Sequence, residues 1–231
     1  MSIAENVALV RENIRQAALA AGRDPKDVLL LAATKMNDEN RVRQAIAAGV
    51  DACGENRVQE MLEKAEKGAY DGASLHFIGH LQRNKVKYVV GLAELIHGVD
   101  SAELLREIDR VAGKKGLVQD LLLEVNIGGE ASKSGFAPKE IPAALEAASA
   151  FPNIRVRGLM TIPPVCERPE QNRAFFLRMK QLFVDNKEKK YDNVSMDFLS
   201  MGMSGDYTEA VACGANLVRV GTAIFGARIY T

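Results

Sequence analysis

Apolar positions along the chain switch repeatedly between two periods. Residues 2–21 place Ile3, Val7, Val10, Ile14 and Leu19 close to one face at helical spacing. Gly22 stops that helix, and Asp24-Pro25 opens a turn. Residues 28–35 then run Val-Leu-Leu-Leu-Ala-Ala-Thr-Lys. A continuous apolar run of this length predicts a strand buried on both faces, as in a parallel sheet. The same alternation continues to the end of the chain. Helices are predicted over 38–48, 58–67, 82–90, 101–114, 138–150, 170–187 and 206–212. Strands are predicted over 50–56, 75–79, 94–99, 120–127, 154–160, 197–201 and 217–220, with a last turn at 222–225.

Eight strands, each followed by a helix or turn, after one leading helix, predict an α/β fold. The expectation is a single (β/α)8 TIM barrel over residues 1–231 with an extra N-terminal helix. The alternative is a doubly wound open sheet, which normally uses five or six strands and a glycine-rich first turn. The first turn here is Thr34-Lys35-Met36-Asn37, without glycine. The proline-rich stretch 163–170 reads as a loop inside the barrel and not as a domain boundary.

Charge and cysteine usage narrow the function classes. Lys+Arg and Asp+Glu stand at 30 each, so no basic footprint for nucleic acid is expected, and a small anion would have to be held by local geometry. Cys53, Cys166 and Cys213 show no C-x-x-C spacing, which suits reduced thiols in the cytosol. Cys53 reads as core filler. His76, His80 and His97 do not pair at metal-ligand spacing, so no metal site is expected. No apolar run approaches a membrane span, and the first residues do not read as a signal peptide. A cytoplasmic protein that makes no membrane contact is expected.

In a barrel, chemistry belongs at the C-terminal ends of the strands. The residues there are Lys35, Asn56, Gly79-His80, Asp100, Asn126, Met160-Thr161, 200–204 and Gly221-Thr222. The last two loops stand out. Ser200-Met201-Gly202-Met203-Ser204-Gly205 follows strand seven, and Gly221-Thr222-Ala223-Ile224 follows strand eight. Barrels bind phosphate at this place through backbone N–H groups and hydroxyls. Two ordinary Gly/Ser loops are the alternative reading. Strand parity adds two cations. Val218 and Val220 would face the helices, so Arg219 shares the interior with Leu217. Burial of a guanidinium requires an acceptor, either a structural partner such as Glu124 or a ligand. Lys35 has the parity of Leu31 and Ala33 and would point into the barrel mouth. A desolvated lysine is a candidate amine for Schiff-base chemistry. A lysine, a phosphate cup and an inward arginine together fit a phosphorylated aldehyde, and pyridoxal 5′-phosphate is the cofactor of that kind.

Several motifs carry a family resemblance. They are Ala32-Ala33-Thr34-Lys35, Gly54-Glu55-Asn56-Arg57-Val58-Gln59-Glu60, and His76-Phe77-Ile78-Gly79-His80-Leu81-Gln82-Arg83-Asn84-Lys85. Further on come Val125-Asn126-Ile127, Ser132-Lys133-Ser134-Gly135-Phe136, Arg157-Gly158-Leu159-Met160-Thr161, Ser200-Met201-Gly202-Met203-Ser204 and 218–226. In this order they resemble the pyridoxal phosphate homeostasis protein family, which is itself similar to the barrel domain of alanine racemase. The resemblance implies Lys35 as the Schiff-base lysine. It implies Ser200, Ser204, Gly221 and Thr222, with nearby backbone including Gly202, as the phosphate cup. It also implies Arg219 at the pyridine nitrogen and Asn56 lining the pocket. A cation beside that nitrogen disfavours its protonation and weakens the ring as an electron sink.

The function this implies is intracellular pyridoxal phosphate homeostasis: holding the cofactor and releasing it, with cofactor-accepting apo-enzymes as partners and no catalytic residue assigned. A racemase or decarboxylase is the alternative, and a Schiff-base aldolase for a phosphosugar is a third reading. In the racemase the second acid/base comes from a separate β domain. The chain is expected to lack that domain, because its last residue, Thr231, follows strand eight closely, and for the same reason a monomer is expected. Lys133 reads equally as a residue that reaches the cofactor and as an exposed loop lysine. The 187–190 run reads as a solvated helix end.

Overall fold

Ser2 starts the first helix. Its Oγ accepts from the Glu5 N–H while the Glu5 carboxylate accepts from the Ser2 N–H, a reciprocal cap that satisfies two orphan donors. Helix α1 (Ile3–Ala20) follows. Then come β1 (Leu29–Ala33), α2 (Glu39–Ala47), β2 (Ala52–Glu55), α3 (Val58–Glu66), β3 (Ser74–Phe77), α4 (Val86–Val89), β4 (Leu95–Val99) and α5 (Ala102–Lys115). The second half holds β5 (Gln119–Glu124), α6 (Ile141–Ser149), β6 (Ile154–Met160), α7 (Arg173–Lys187), β7 (Val194–Met203), α8 (Tyr207–Ala212), β8 (Leu217–Val220) and α9 (Thr222–Phe225). This computed structural model describes residues 1–188 and 191–227. Of the 187–190 run, Lys189 and Lys190 lie outside the described residues.

All eight strands pair in parallel in sequence order, and β8 returns to β1. The predicted barrel is therefore closed, and the leading helix is present. Side chains alternate across the strands as parity requires. Leu31, Ala52, Leu95, Leu122, Met160 and Leu217 pack together inside the barrel. Leu30, Ala32, Cys53, Leu121, Leu123, Val218 and Val220 face the helices in the outer core. Cys53 is buried there, and burial pushes its thiol up to about 12. That suits packing rather than chemistry.

Several boundaries differ from expectation. β1 stops at Ala33, two residues before Lys35. The backbone turns at the mouth, with the Asn37 N–H donating to the Thr34 carbonyl and Met36 at φ 61, so Lys35 sits in a tight turn. The expected helix over 82–90 is a 3-10 turn, Arg83–Lys85, leading into the four-residue α4. Gly91, at φ 80, ends it. β5 stops at Glu124 rather than near 127: the Val125 N–H makes a last bond to the Met160 carbonyl of β6, and the Asn126 N–H then donates to the Phe136 carbonyl of the chain's own loop. β7 is longer than expected. Its register shifts so that Met203 pairs with Arg219. That extension carries the 203–205 segment over the barrel mouth.

Candidate cofactor site

One cavity of about 520 Å³ opens at the C-terminal ends of the strands. Its wall includes Lys35 and Asn56 on one side, Glu124, Asn126 and Lys133 on another, and Ser204, Gly221 and Thr222 on a third. Arg219 also lines it. These residues are up to 187 positions apart in the chain, counted from Lys35 to Thr222. Closure of the barrel brings them together.

The backbone on both sides of Lys35 is clamped from the outer layer. Thr34 Oγ1 donates to Glu55 Oε1 at 2.6 Å, and Lys64 Nζ donates to the Thr34 carbonyl at 2.9 Å. The Met36 N–H donates to Glu60 Oε1 at 2.5 Å. Lys64 ties these contacts together, 2.7 Å from both Glu55 Oε1 and Glu60 Oε1, and the Tyr70 hydroxyl donates to Glu55 at 3.1 Å. Burial pushes the Glu55 carboxyl up, and the Lys64 ammonium opposes it. The sequence reading missed this network. Its signal was Lys64 on the same face of α3 as Val58 and Met61, a charge on an apolar stripe.

Next to β1, at the ends of β7 and β8, Ser204 Oγ accepts from the Gly221 N–H at 3.0 Å and from the Ala223 N–H at 3.3 Å. These donors open α9. Asp206 fixes the loop by accepting from the Met203 N–H and from Asn172 Nδ2, each at 2.7 Å. Ser204, its Oγ held by two backbone N–H groups so that its own proton is left to donate, and Thr222 thus stand together in the cavity wall, hydroxyls suited to a phosphate.

Two expected members of that cup lie elsewhere. Ser200 is fully buried inside the barrel, where it accepts from Arg219 Nη1 at 2.5 Å. Gly202, at φ 93, packs on α8, where a Cβ would lie 2.5 Å from Ala210 Cβ. The bulged path of β7 explains both placements: the strand faces inward at Ser200 and reaches the cavity only at Met203 and Ser204.

Arg219 is inside the barrel, as parity predicted. Nη2 donates to the Thr161 carbonyl at 2.9 Å. Burial pushes its pKa down to about 10, against attraction from Glu124 and Asp206, so it stays a cation near neutral pH. Glu124 lines the same cavity and acts on Arg219 through its charge, while Arg219 donates to Ser200 and Thr161. Burial and Asp100 push the Glu124 carboxyl up.

Asn56 is half-buried in the wall. Gly79 beside it admits no side chain, since a Cβ would lie 2.3 Å from the Asn56 carbonyl oxygen. Asn126 organises the loop after β5 by donating to the Glu130 and Lys133 carbonyls. That places Lys133 in the cavity wall, half-buried, with Nζ 2.6 Å from Glu130 and 3.2 Å from the Pro163 carbonyl. His76 and His97 are buried strand residues, and His80 pairs with Asp100 at 3.1 Å. Among the described residues no group of three His, Cys, Asp or Glu side chains is placed to hold a metal. None of the described helices is long and apolar enough to cross a membrane.

The chain is similar to known proteins along nearly its whole length. The family model described as alanine racemase, N-terminal domain, matches residues 6–229. A protein of Aquifex aeolicus named pyridoxal phosphate homeostasis protein is 43% identical over 230 residues, with 100% of both chains covered. Its namesake in Pseudomonas aeruginosa is 45% identical over 232 residues, covering 99% of this chain and 97% of that one. The chain belongs to the pyridoxal phosphate homeostasis protein family. PipY of Synechococcus elongatus, solved with pyridoxal phosphate bound, superposes with a TM-score of 0.83 at 33% identity, covering 97% of this chain and 100% of PipY. An alanine racemase of Clostridium difficile gives a TM-score of 0.73 at 14% identity and shares the barrel over 58% of its own length.

Proposed function

We propose that this protein binds pyridoxal 5′-phosphate in the cavity and serves its homeostasis in the cytoplasm, holding the cofactor and releasing it to apo-enzymes that need it. The observation that carries this reading is a convergence. Lys35, Ser204 and the 219–222 segment belong to three separate parts of the chain and meet around one cavity. That donor set suits an aldehyde, a ring nitrogen and a phosphate. The cofactor, when bound, supplies a reactive aldehyde and a pyridine ring. The namesake relatives, and PipY with its bound pyridoxal phosphate, support the assignment.

Each residue then has a task. Lys35 presents its amine from a turn fixed by the Glu55–Lys64 network. Ser204 and Thr222 hold the phosphate, with Ser204 Oγ oriented by the N–H groups of Gly221 and Ala223. Arg219 faces the pyridine nitrogen as a donor that keeps its own proton, so the nitrogen accepts a hydrogen bond and stays unprotonated. Asn56 lines the ring side. An unprotonated ring is a weak electron sink, which favours holding the cofactor over turning over amino acids on it. The protein acts as a single 1–231 barrel domain and as a monomer.

The test is direct. Purified protein mixed with pyridoxal phosphate should gain a near-ultraviolet or visible band, and borohydride should fix the label on the peptide that carries Lys35. Protein with no such band and no label would sink the reading. Sustained turnover of single amino acids by the loaded protein would replace the carrier role with catalysis.

A further inference from the structure

Beneath Arg219 the barrel interior holds polar side chains in a line. Arg219 Nη1 donates to Ser200 Oγ, which lies 3.1 Å from His97 Nδ1. His97 Nε2 is 3.0 Å from His76 Nδ1, and His76 Nε2 is 3.0 Å from Ser74 Oγ. These residues stand on β8, β7, β4 and β3. His97 and Ser200 are fully buried, and His76 nearly so.

Hydrogen-bond valence orients the line. A guanidinium only donates. Ser200 therefore accepts from Arg219 and keeps one proton to give. If His97 Nδ1 accepts that proton, His97 Nε2–H donates to His76 Nδ1, and His76 Nε2–H donates to Ser74 Oγ. Every link is then satisfied by neutral rings. In the opposite sense His97 Nδ1–H would point at Ser200. The buried hydroxyl proton would lose its partner, which is costly. Burial also disfavours charge on both rings, and Arg219 adds to this at His97.

We propose that His97, fixed as its Nε2–H tautomer, is a positioning residue for Arg219: it takes the Ser200 proton and so holds the Ser200 oxygen as the acceptor that sets the guanidinium at the cavity floor. This rests on the pyridoxal phosphate reading only for the identity of what Arg219 faces. The line transmits orientation and not protons, because the guanidinium does not give one up. His76 and Ser74 complete it from the N-terminal end of the barrel.

The tautomer can be read without any cofactor. Two-bond proton–nitrogen correlation spectra of the full-length protein should show His97 as the Nε2–H form, and Ser200→Ala should abolish that preference. Finding His97 as the Nδ1–H form in the wild type would overturn the proposal. The role toward Arg219 is read with pyridoxal phosphate and its analogue carrying carbon in place of the ring nitrogen. The wild type should prefer the natural compound by about tenfold or more, the value of a hydrogen bond to a charged group. His97→Leu should shrink that preference to about twofold or less. His97→Asn, whose Oδ1 can take the place of Nδ1 as acceptor, should restore most of it. A folded His97→Leu protein that discriminates like the wild type would refute the positioning role. If that variant fails to fold, Ser200→Ala takes its place, and unchanged discrimination refutes the role in the same way. Should the wild type bind neither compound, the cofactor reading fails, while the tautomer measurement still decides the line itself.

Discussion

Lys64 Nζ lies 2.7 Å from Glu55 Oε1 and 2.9 Å from the carbonyl oxygen of Thr34, the residue just before Lys35. A buried ion pair outside the barrel therefore grips the turn that presents the candidate amine inside it. Removing Lys64 alone would leave Glu55 buried without its cation. Lys64→Met should destabilise the fold by about 3–5 kcal/mol, read as the midpoint of urea unfolding. Adding Glu55→Gln should recover much of the loss. A single variant that unfolds at the wild-type midpoint would show that the pair does not hold this region.

Ser204 and Ser200 separate into two tasks. Ser204 touches the donors of Gly221 and Ala223 at the phosphate end. Ser204→Ala should weaken retention of pyridoxal phosphate roughly tenfold and leave binding of phosphate-free pyridoxal almost unchanged, as expected for the loss of a hydrogen bond to a charged group. Ser200→Ala should affect both ligands, because it acts through Arg219 at the ring. Equilibrium dialysis with the two ligands distinguishes these patterns, and equal losses for Ser204→Ala would move the phosphate elsewhere.

Lys35 and Lys133 both line the cavity, and only Lys35 is expected to carry the cofactor at rest. Nζ of Lys133 is already engaged by Glu130 and the Pro163 carbonyl. Lys35→Ala should remain folded by circular dichroism and yield no borohydride-stable label. Lys133→Ala should label normally. Full labelling of the Lys35→Ala protein, mapped by mass spectrometry to Lys133, would reverse the assignment.

Stability should fall in mild acid. Burial pushes His76 down from 6.5 to about 4, and His97 lies well below its ordinary value. Below about pH 6.5 the unfolded chain takes up protons that the folded chain refuses, so the contribution is complete above that pH and lost on the way to about 4. For His76 this is on the order of 3 kcal/mol. Glu55 and Glu124, pushed up by burial, act in the opposite sense, since they hold protons better when folded. Comparing wild type with His76→Gln isolates the histidine. Equal slopes of unfolding free energy against pH between 6.5 and 4 would refute this assignment.

The barrel, and which residues line the candidate cavity at its mouth, were largely legible in the chain. The 28–35 run, the eight repeats and the parity of Leu217 and Arg219 follow from backbone geometry, because side chains must alternate across a strand and a doubly buried strand must be apolar. Lys35, Asn56, Ser204, Gly221 and Thr222 could be named because strand C-termini in such a barrel share one end. The tertiary structure alone decided where Ser200 and Gly202 point. A bulge in β7 shifts its register, and no local pattern encodes a shift that depends on pairing with Arg219 on β8. It also decided that Glu55, Lys64 and Tyr70 meet behind Lys35, and that His76 and His97 join in a hydrogen-bonded line under Arg219. Each of those contacts joins residues on different strands or helices, and their partners are set by closure of the barrel. A charged residue on an apolar face signals that a partner exists. Only the folded chain names that partner.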